Sequence, residues 1–430
     1  MATNKFYAAE TLERDKPMNP ILFAVPVFMA FIGLEAWLAW RRGLKVYRLH
    51  DAITSINIGV ISETIRALLK LLSVAIYAVV VDRVGAFSWD IKSPWVWILA
   101  FFMYDFFYYW AHRCGHEVNL LWAAHVVHHS SEDYNLSTAL RQSSTNQVFY
   151  WLFYLPMAIV GIPVTVFVII ALISVVYQFW SHTQLVPKLG WPDRVFVTPS
   201  NHRCHHGRNA YCIDKNYGGT LIIWDRLFGT YTIERDDEPV VYGTQVPLQS
   251  WNPVWGNLKN YVGIWGQVRS TPGWTNKLMR VFAPPGWGEP AAPAIAPVPT
   301  TAYNRFDTPA LQWQQRYGLL ACAVIFGLLF HLLLTAPSLS VPQRAAYAAL
   351  MVVNAVGIAW VFEGKRWALA FEAARACLVF GLLAAGQWFG PVQMPAQLAA
   401  AAGLIVSLVL LAQARAERSR STVSLAGVAG

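Results

Sequence analysis

Apolar residues in this chain gather into long runs separated by short polar breaks. The first run extends from Ile21 to Trp40 and stops at Arg41-Arg42. Others lie at about 67–82, 94–111, 316–335, 343–361, 368–388 and 396–412, and residues 147–182 hold two more, broken at Gly161-Ile162-Pro163. A helix needs ~20 apolar residues to cross ~30 Å of hydrocarbon. The pattern therefore predicts an all-α, polytopic membrane bundle of about nine spans, with 147–182 as a tight hairpin that enters and returns. Residues 51–66 read as amphipathic and are expected to lie along the surface before the second span. Residues 1–20 are polar, and 183–315 are polar and turn-rich, so both are expected outside the membrane.

Composition agrees with the runs. The chain has 430 residues, 56% hydrophobic and only 13% charged, which excludes an ordinary soluble enzyme. Its net charge of +9 is dispersed among loops, with no basic helix or aromatic-basic repeat of the nucleic-acid-binding kind. Residues 41–50 carry Arg41, Arg42, Lys45 and Arg48 without an acid, the strongest cytoplasmic mark in the chain. Nine spans beginning outside put 41–50, 112–146, 182–315, 364–367 and the tail after 413 on that same face. Lys365, Arg366, Arg415, Arg418 and Arg420 fall there too. The five cysteines follow no C-x-x-C spacing and are read as reduced thiols.

The candidate chemistry is concentrated in histidine. Nine of eleven histidines lie between His112 and His206, as His112-x-x-x-His116, His125-x-x-His128-His129, His182 and His202-x-x-His205-His206. Residues three and four apart share a helix face, so each cluster presents its imidazoles together. One zinc ion usually takes four ligands, and nine imidazoles suit two metal ions better than one. By ligand type such a site suits iron, zinc, copper or nickel. Positive-inside charge brings all nine to one cytoplasm-facing site. Asp105, two helical turns before His112, is expected to accept a hydrogen bond from a ligand imidazole and fix its tautomer. Asp214 and Asp225 are candidates to support ligands or orient a substrate, with turn or cap roles as the alternative. Glu35 is placed within reach of the interface, and His331 is read as a packing or hydrogen-bonding residue.

These motifs have a wider context. Asp105-Phe-Phe-Tyr-Tyr-Trp-Ala-His112 is followed by His125-Val-Val-His-His-Ser-Ser-Glu-Asp-Tyr-Asn-Leu-Ser-Thr-Ala-Leu-Arg141-Gln142. Then come Asn201-His-Arg-Cys-His-His-Gly-Arg-Asn and Asp214-Lys-Asn-Tyr-Gly-Gly. Over about residues 45–260 the chain resembles the fatty acid hydroxylase (sterol desaturase) superfamily of membrane non-haem di-iron enzymes, and is similar to its alkylglycerol monooxygenase branch. The resemblance implies two iron ions, with His112, His116, His125, His128, His129, His182, His202, His205 and His206 as ligands and Asp105 one shell out. It further implies that dioxygen is split to hydroxylate a lipid drawn from the bilayer. In the alkylglycerol branch the hydroxylated carbon adjoins the ether oxygen, and the hemiacetal falls apart to an aldehyde and glycerol. The resemblance also implies an electron donor, tetrahydrobiopterin or a redox protein, which is expected to be a separate molecule because no fused cytochrome or ferredoxin domain is read here.

The expected organisation is an N-terminal span and basic loop (1–50), a hydroxylase domain (51–283), a Pro/Ala-rich linker (284–315) and a four-span C-terminal region (316–430). Competing readings are a sterol, carotenoid or acyl-lipid hydroxylase or desaturase of the same superfamily, a zinc-dependent lipid hydrolase, and a metal-binding membrane protein without turnover.

Overall fold

A computed structural model describes residues 21–289, 304–309 and 311–384. The polar segment 1–20, residues 290–303 and 310 of the 284–315 linker, the run at 396–412 and the tail arginines lie outside the described residues. Within them the protein is all-α, with two isolated β-bridges, Phe196 to Leu221 and Gly207 to Tyr242, and no strand. Three described helices are long and apolar enough to cross a membrane: α1 (Ile21–Arg41), α13 (Gln312–Thr335) and α14 (Val341–Phe362).

The surface helix expected at 51–66 is absent. Residues 49–84 form one 36-residue helix, α2 (Leu49–Val84), whose first half is core. No proline interrupts it, and its polar positions find partners inside the protein instead of water. Asp51, Thr54, Ser55, Asn57, Ser62 and Thr64 are all buried. Ser62 donates to the Ser143 carbonyl at 2.9 Å, and Asp51 accepts from Ser131 and Arg141. The apolar positions Ile53, Ile56, Val60 and Ile61 pack with Tyr317, Ile325, Met351 and Ile358 of α13 and α14. An amphipathic pattern buried on both faces means a second, polar layer of protein, and that layer carries the histidines.

Helix α3 (Pro94–Glu117) starts at a proline and continues past its apolar part to carry His112 and His116. It packs against α8 (Val164–Trp180) and α4 (Asn119–His129), the helix of the second histidine cluster. The predicted break at 161–163 is present, but the limb before it is not one helix. It divides into α6 (Asn146–Phe149), a 3₁₀ segment (Tyr150–Tyr154) and α7 (Leu155–Val160). Gly161 closes α7 at φ 88°, a conformation that suits glycine, and an added Cβ would strike the Phe87 backbone. Short helices α5 (Leu136–Ala139), α9 (Pro199–His205) and α10 (Ile223–Phe228) surround the site. Beyond it lie α11 (Pro253–Ser270), α12 (Trp274–Phe282) and α15 (Ala368–Ala384).

Helix α2 meets the site at Gly59, where an added Cβ would collide with the Leu140 carbonyl oxygen. Backbone cannot rotate aside as a side chain can, so Gly59→Ala is expected to destabilise the protein by about 1–3 kcal/mol. Thermal unfolding in detergent would check this, and an unchanged midpoint would show that the α2–Leu140 contact is loose.

Candidate metal centre

All nine histidines of the sequence clusters are buried and come together in two adjoining groups. His112, His116, His125, His129 and His205 form one, and His128, His182, His202 and His206 the other. Within each group the potential ligand nitrogens lie within 4.8 Å of one another. Each H-x-x-H-H cluster is shared between the groups. In each cluster the residues four apart stay together, His125 with His129 in the first group and His202 with His206 in the second, while His128 joins the second and His205 the first. Helix geometry produces this split, since the i+3 side chain is rotated about 60° from residue i and about 100° from residue i+4, which are themselves only about 40° apart. The rings of His129 and His206 stack at 4.3 Å where the two groups meet.

Backbone carbonyls orient the rings. His112 Nδ1 lies 2.8 Å from the Tyr217 oxygen, His182 Nδ1 2.9 Å from Gln178, His205 Nδ1 3.0 Å from Lys215 and His128 Nδ1 3.1 Å from Arg141. A carbonyl only accepts, so these Nδ1 atoms carry the proton and each Nε2 presents a lone pair. The Gln142 amide nitrogen also lies 3.3 Å from His128 Nδ1, but that amide can be turned end for end and the Arg141 carbonyl cannot.

The lone pairs of His128 and His182 face each other, and His125 and His202 bring their Nε2 atoms equally close to His112 and His182. His128 Nε2 and His182 Nε2 are 3.2 Å apart, His182 Nε2 and His202 Nε2 3.0 Å, and His112 Nε2 and His125 Nε2 3.0 Å. His116, His205 and His206 each hold a buried Nε2 with no hydrogen-bond partner. Two acceptors at 3 Å repel unless a cation lies between them, so the arrangement fits bound metal. Burial, reinforced by neighbouring imidazoles, keeps the rings neutral. His112 is pushed down to about 3 and His128 to about 4, and the other seven fall well below the usual histidine range.

The carbonyls that hold the rings are themselves fixed. Lys215 and Tyr217 lie in a loop where Asp214 and Asn216 adopt φ of 55° and 58°, unusual for non-glycine residues. The Asn216 amide clamps that loop by donating to the Asn201 and Thr232 carbonyls at 3.0 and 2.9 Å and accepting from Thr232 N at 2.9 Å. Asp225 accepts from Tyr217 N, Gly218 N and Thr230 Oγ1, each at 2.7 Å, and burial pushes its carboxyl up to about 6.

Asp105 differs from expectation. It accepts from Thr220 N at 2.7 Å, Leu221 N at 3.1 Å and Trp224 Nε1 at 2.9 Å, and from no histidine. At two turns before His112 it lies too far down α3 to reach an imidazole, so it grips the loop that supplies the His112 acceptor. Glu35 is also displaced from its expected place. It is buried and accepts from Leu136 N at 2.7 Å, Tyr47 at 2.5 Å and Thr183, next to His182. Asp214 reaches only to 3.9 Å from His116 Nδ1.

Sequence reasoning missed Arg141. Only 1% exposed, its guanidinium donates to the Val127 carbonyl, Ser130 and Ser55 and pairs with Asp51 at 3.5 Å, while its own carbonyl faces His128. A lone arginine between serines and alanines gives no sign of burial. His331, read as a packing or hydrogen-bonding residue, bonds Tyr347 at 2.7 Å away from the site, and all five cysteines are free thiols.

Comparison with known proteins agrees with this geometry. Residues 97–230, which span all nine clustered histidines, match the fatty acid hydroxylase family. The chain is 39% identical to an alkylglycerol monooxygenase from Xenopus tropicalis, over 83% of this chain and 80% of that protein. It is 37% identical to the one from Homo sapiens, over 84% and 81%. An ornithine lipid hydroxylase from Rhizobium tropici is 32% identical, over 31% of this chain and 41% of that protein. No solved structure matches. The chain is a lipid monooxygenase and belongs to the fatty acid hydroxylase family, on its alkylglycerol monooxygenase branch.

Proposed function

We propose that the chain oxidises the ether-linked alkyl chain of alkylglycerols with dioxygen. The observation that carries this reading is the set of facing imidazole lone pairs, joined to likeness with alkylglycerol monooxygenases over most of the chain. His112, His116, His125, His129 and His205 would hold one iron ion, and His128, His182, His202 and His206 would hold a second. Iron bound there supplies activation of dioxygen for insertion into an unreactive C–H bond.

The protein's own residues contribute position and dryness. Carbonyls of Tyr217, Lys215, Arg141 and Gln178 fix the ring tautomers, and Asp105 and Asp225 hold the loop that presents two of them. Around the rings, Tyr134 stacks on His182 at 5.7 Å and Trp122 lies 5.0 Å from His116, which keeps bulk water away. One oxygen atom enters the C–H bond beside the ether oxygen, and the other leaves as water with two electrons and two protons from a separate reductant. The hemiacetal then breaks its C–O bond to give a fatty aldehyde and glycerol.

In the same reading about nine spans place residues 112–146 and 182–315 on the cytoplasmic side. The units are 1–50, 51–283, a 284–315 linker and the C-terminal spans of 316–430. Arg305 pairs with Asp133 at 2.7 Å, which fastens the end of the linker to the histidine-bearing unit.

The test is metal analysis of the purified full chain together with turnover of a 1-O-alkylglycerol under ¹⁸O₂ and a chemical reductant. Iron with dioxygen-dependent aldehyde release is the expected result. Zinc with product formed without dioxygen would establish a hydrolase instead, and oxidation confined to acyl lipids or sterols would move the chain to another branch.

A further inference from the structure

Helices α11 and α12 lie in the polar segment expected outside the membrane, yet they expose an apolar surface comparable to that of α1. On α11 the exposed large residues are Trp255, Leu258, Val262 and Trp265, three and four apart and so on one face. On α12 they are Trp274 (81% exposed), Leu278 and Phe282, one turn apart. Residues 252–289 carry four basic side chains (Lys259, Arg269, Lys277, Arg280) against one acid, Glu289. Lys277 lies 5.3 Å from the Trp274 ring, and Arg280 5.6 Å from Trp287.

Neither helix can span a bilayer. Helix α11 has 18 residues and is not apolar enough, and α12 has nine, none of them buried. A free helix that short is marginal in water, so the apolar stripe of α12 needs a cover. The start of α4 places it. Asn119 N donates to the Ala283 carbonyl at 3.0 Å and Asn119 Nδ2 to the Arg280 carbonyl at 2.8 Å. Helix α3 runs six residues past Ala111, where its apolar run ends, about 9 Å of helical rise, before the chain turns at Val118 into Asn119. That is about one helix diameter beyond the hydrocarbon edge, at the level of the lipid headgroups.

We propose that α11 and α12 form an in-plane hairpin seated in the headgroup layer of the bilayer that the chain itself spans, with preference for anionic lipid. The aromatic and leucine face enters the acyl boundary while Lys277 and Arg269 stay among phosphates, the arrangement that favours interfacial helices. The hairpin packs on α4, so it holds the helix of His125, His128 and His129 at a fixed depth beside the lipid phase. This inference rests on the membrane reading above, and the experiment separates the two.

Nitroxide labels are placed by Leu278→Cys, Asn276→Cys and, in α1, Val27→Cys, each on a Cys377→Ser background. The full chain is studied in nanodiscs of phosphatidylcholine with or without phosphatidylglycerol. Collisional relaxation by oxygen and by a polar nickel chelate is then compared. The label at 278 is expected to favour oxygen several-fold over the chelate, as at 27, with the opposite preference at 276 on the polar face. Added phosphatidylglycerol is expected to deepen the 278 label, and Lys277→Glu to abolish that response. A 278 label open to the chelate while 27 remains in lipid would overturn the hairpin alone. A 278 label shielded from both probes would mean that another part of the chain or a second copy covers this face, which also overturns it. A 27 label in water would sink the spanning reading itself.

Discussion

His205→Ala is expected to abolish lipid oxidation while leaving the protein folded and part of its iron in place. The substitution removes one ring from the five-histidine group and leaves His128, His182, His202 and His206 complete. Iron per chain should fall, toward half at most, because the site left with His112, His116, His125 and His129 has lost one of its five donors while the four-imidazole set of the other site is untouched. Turnover should fall well beyond the ~10–100-fold cost of disturbing a residue one shell out, because both ions are needed at the reaction. His202→Ala is the mirror experiment, which spares the five-histidine group. His331→Ala is the control, since that ring bonds Tyr347 in the C-terminal helices and should alter neither iron nor rate. Metal analysis, Mössbauer spectra of the ⁵⁷Fe-loaded protein and aldehyde release read the three outcomes. Full iron in both alanine variants would show that the facing rings are a packed core and not a binding site.

Which parts of this centre could be read from the chain follows from how each part is encoded. Ligand-bearing side chains are encoded by identity, so His112 through His206 stand out by type and spacing, and the structure gathers all nine. The partition of each H-x-x-H-H between two groups follows from helix geometry, but only once the helices are known to face each other. The atoms that orient the rings are backbone oxygens of Tyr217, Lys215, Arg141 and Gln178, and a carbonyl is present at every residue, so nothing in the sequence marks these four. A partial signal existed in Asp-Lys-Asn-Tyr-Gly-Gly, where aspartate and asparagine at 214 and 216 accept positive φ. Burial misled the reading of α2 for a related reason. Its serines, threonines and Asp51 look like a wet face, but their partners Ser131, Arg141 and Ser143 come from 80 to 90 residues away. Polar against polar across the interior has the same local pattern as polar against water. The hydropathy of α3 was legible as well, and so was its continuation past the apolar part, since the spacing of Asp105, His112 and His116 already sets them on one helical stripe.

Asp105→Asn is expected to lower both stability and iron affinity, and the balance between the two tests what this carboxylate does. As the charged acid it offers lone pairs to three donors, Thr220 N, Leu221 N and Trp224 Nε1. An amide keeps one oxygen and points an NH₂ at the remaining donors, leaving at least one buried N–H without an acceptor at about 1–3 kcal/mol each. The loop from Tyr217 to Trp224 then loosens on its α3 side, and with it the Tyr217 carbonyl that holds His112 Nδ1. Iron affinity should drop about 10–100-fold, the range for partners that orient a ligand. Trp224→Phe removes one of the three donors and spares the carboxylate, so its effect should be in the same direction and smaller. A purely structural aspartate would lower the unfolding midpoint yet leave iron held equally tightly by the folded fraction in a chelator competition. Unchanged iron retention and activity in Asp105→Asn would therefore remove Asp105 from the centre, while loss of iron at a temperature where the fold is intact would place it there as the residue that positions His112.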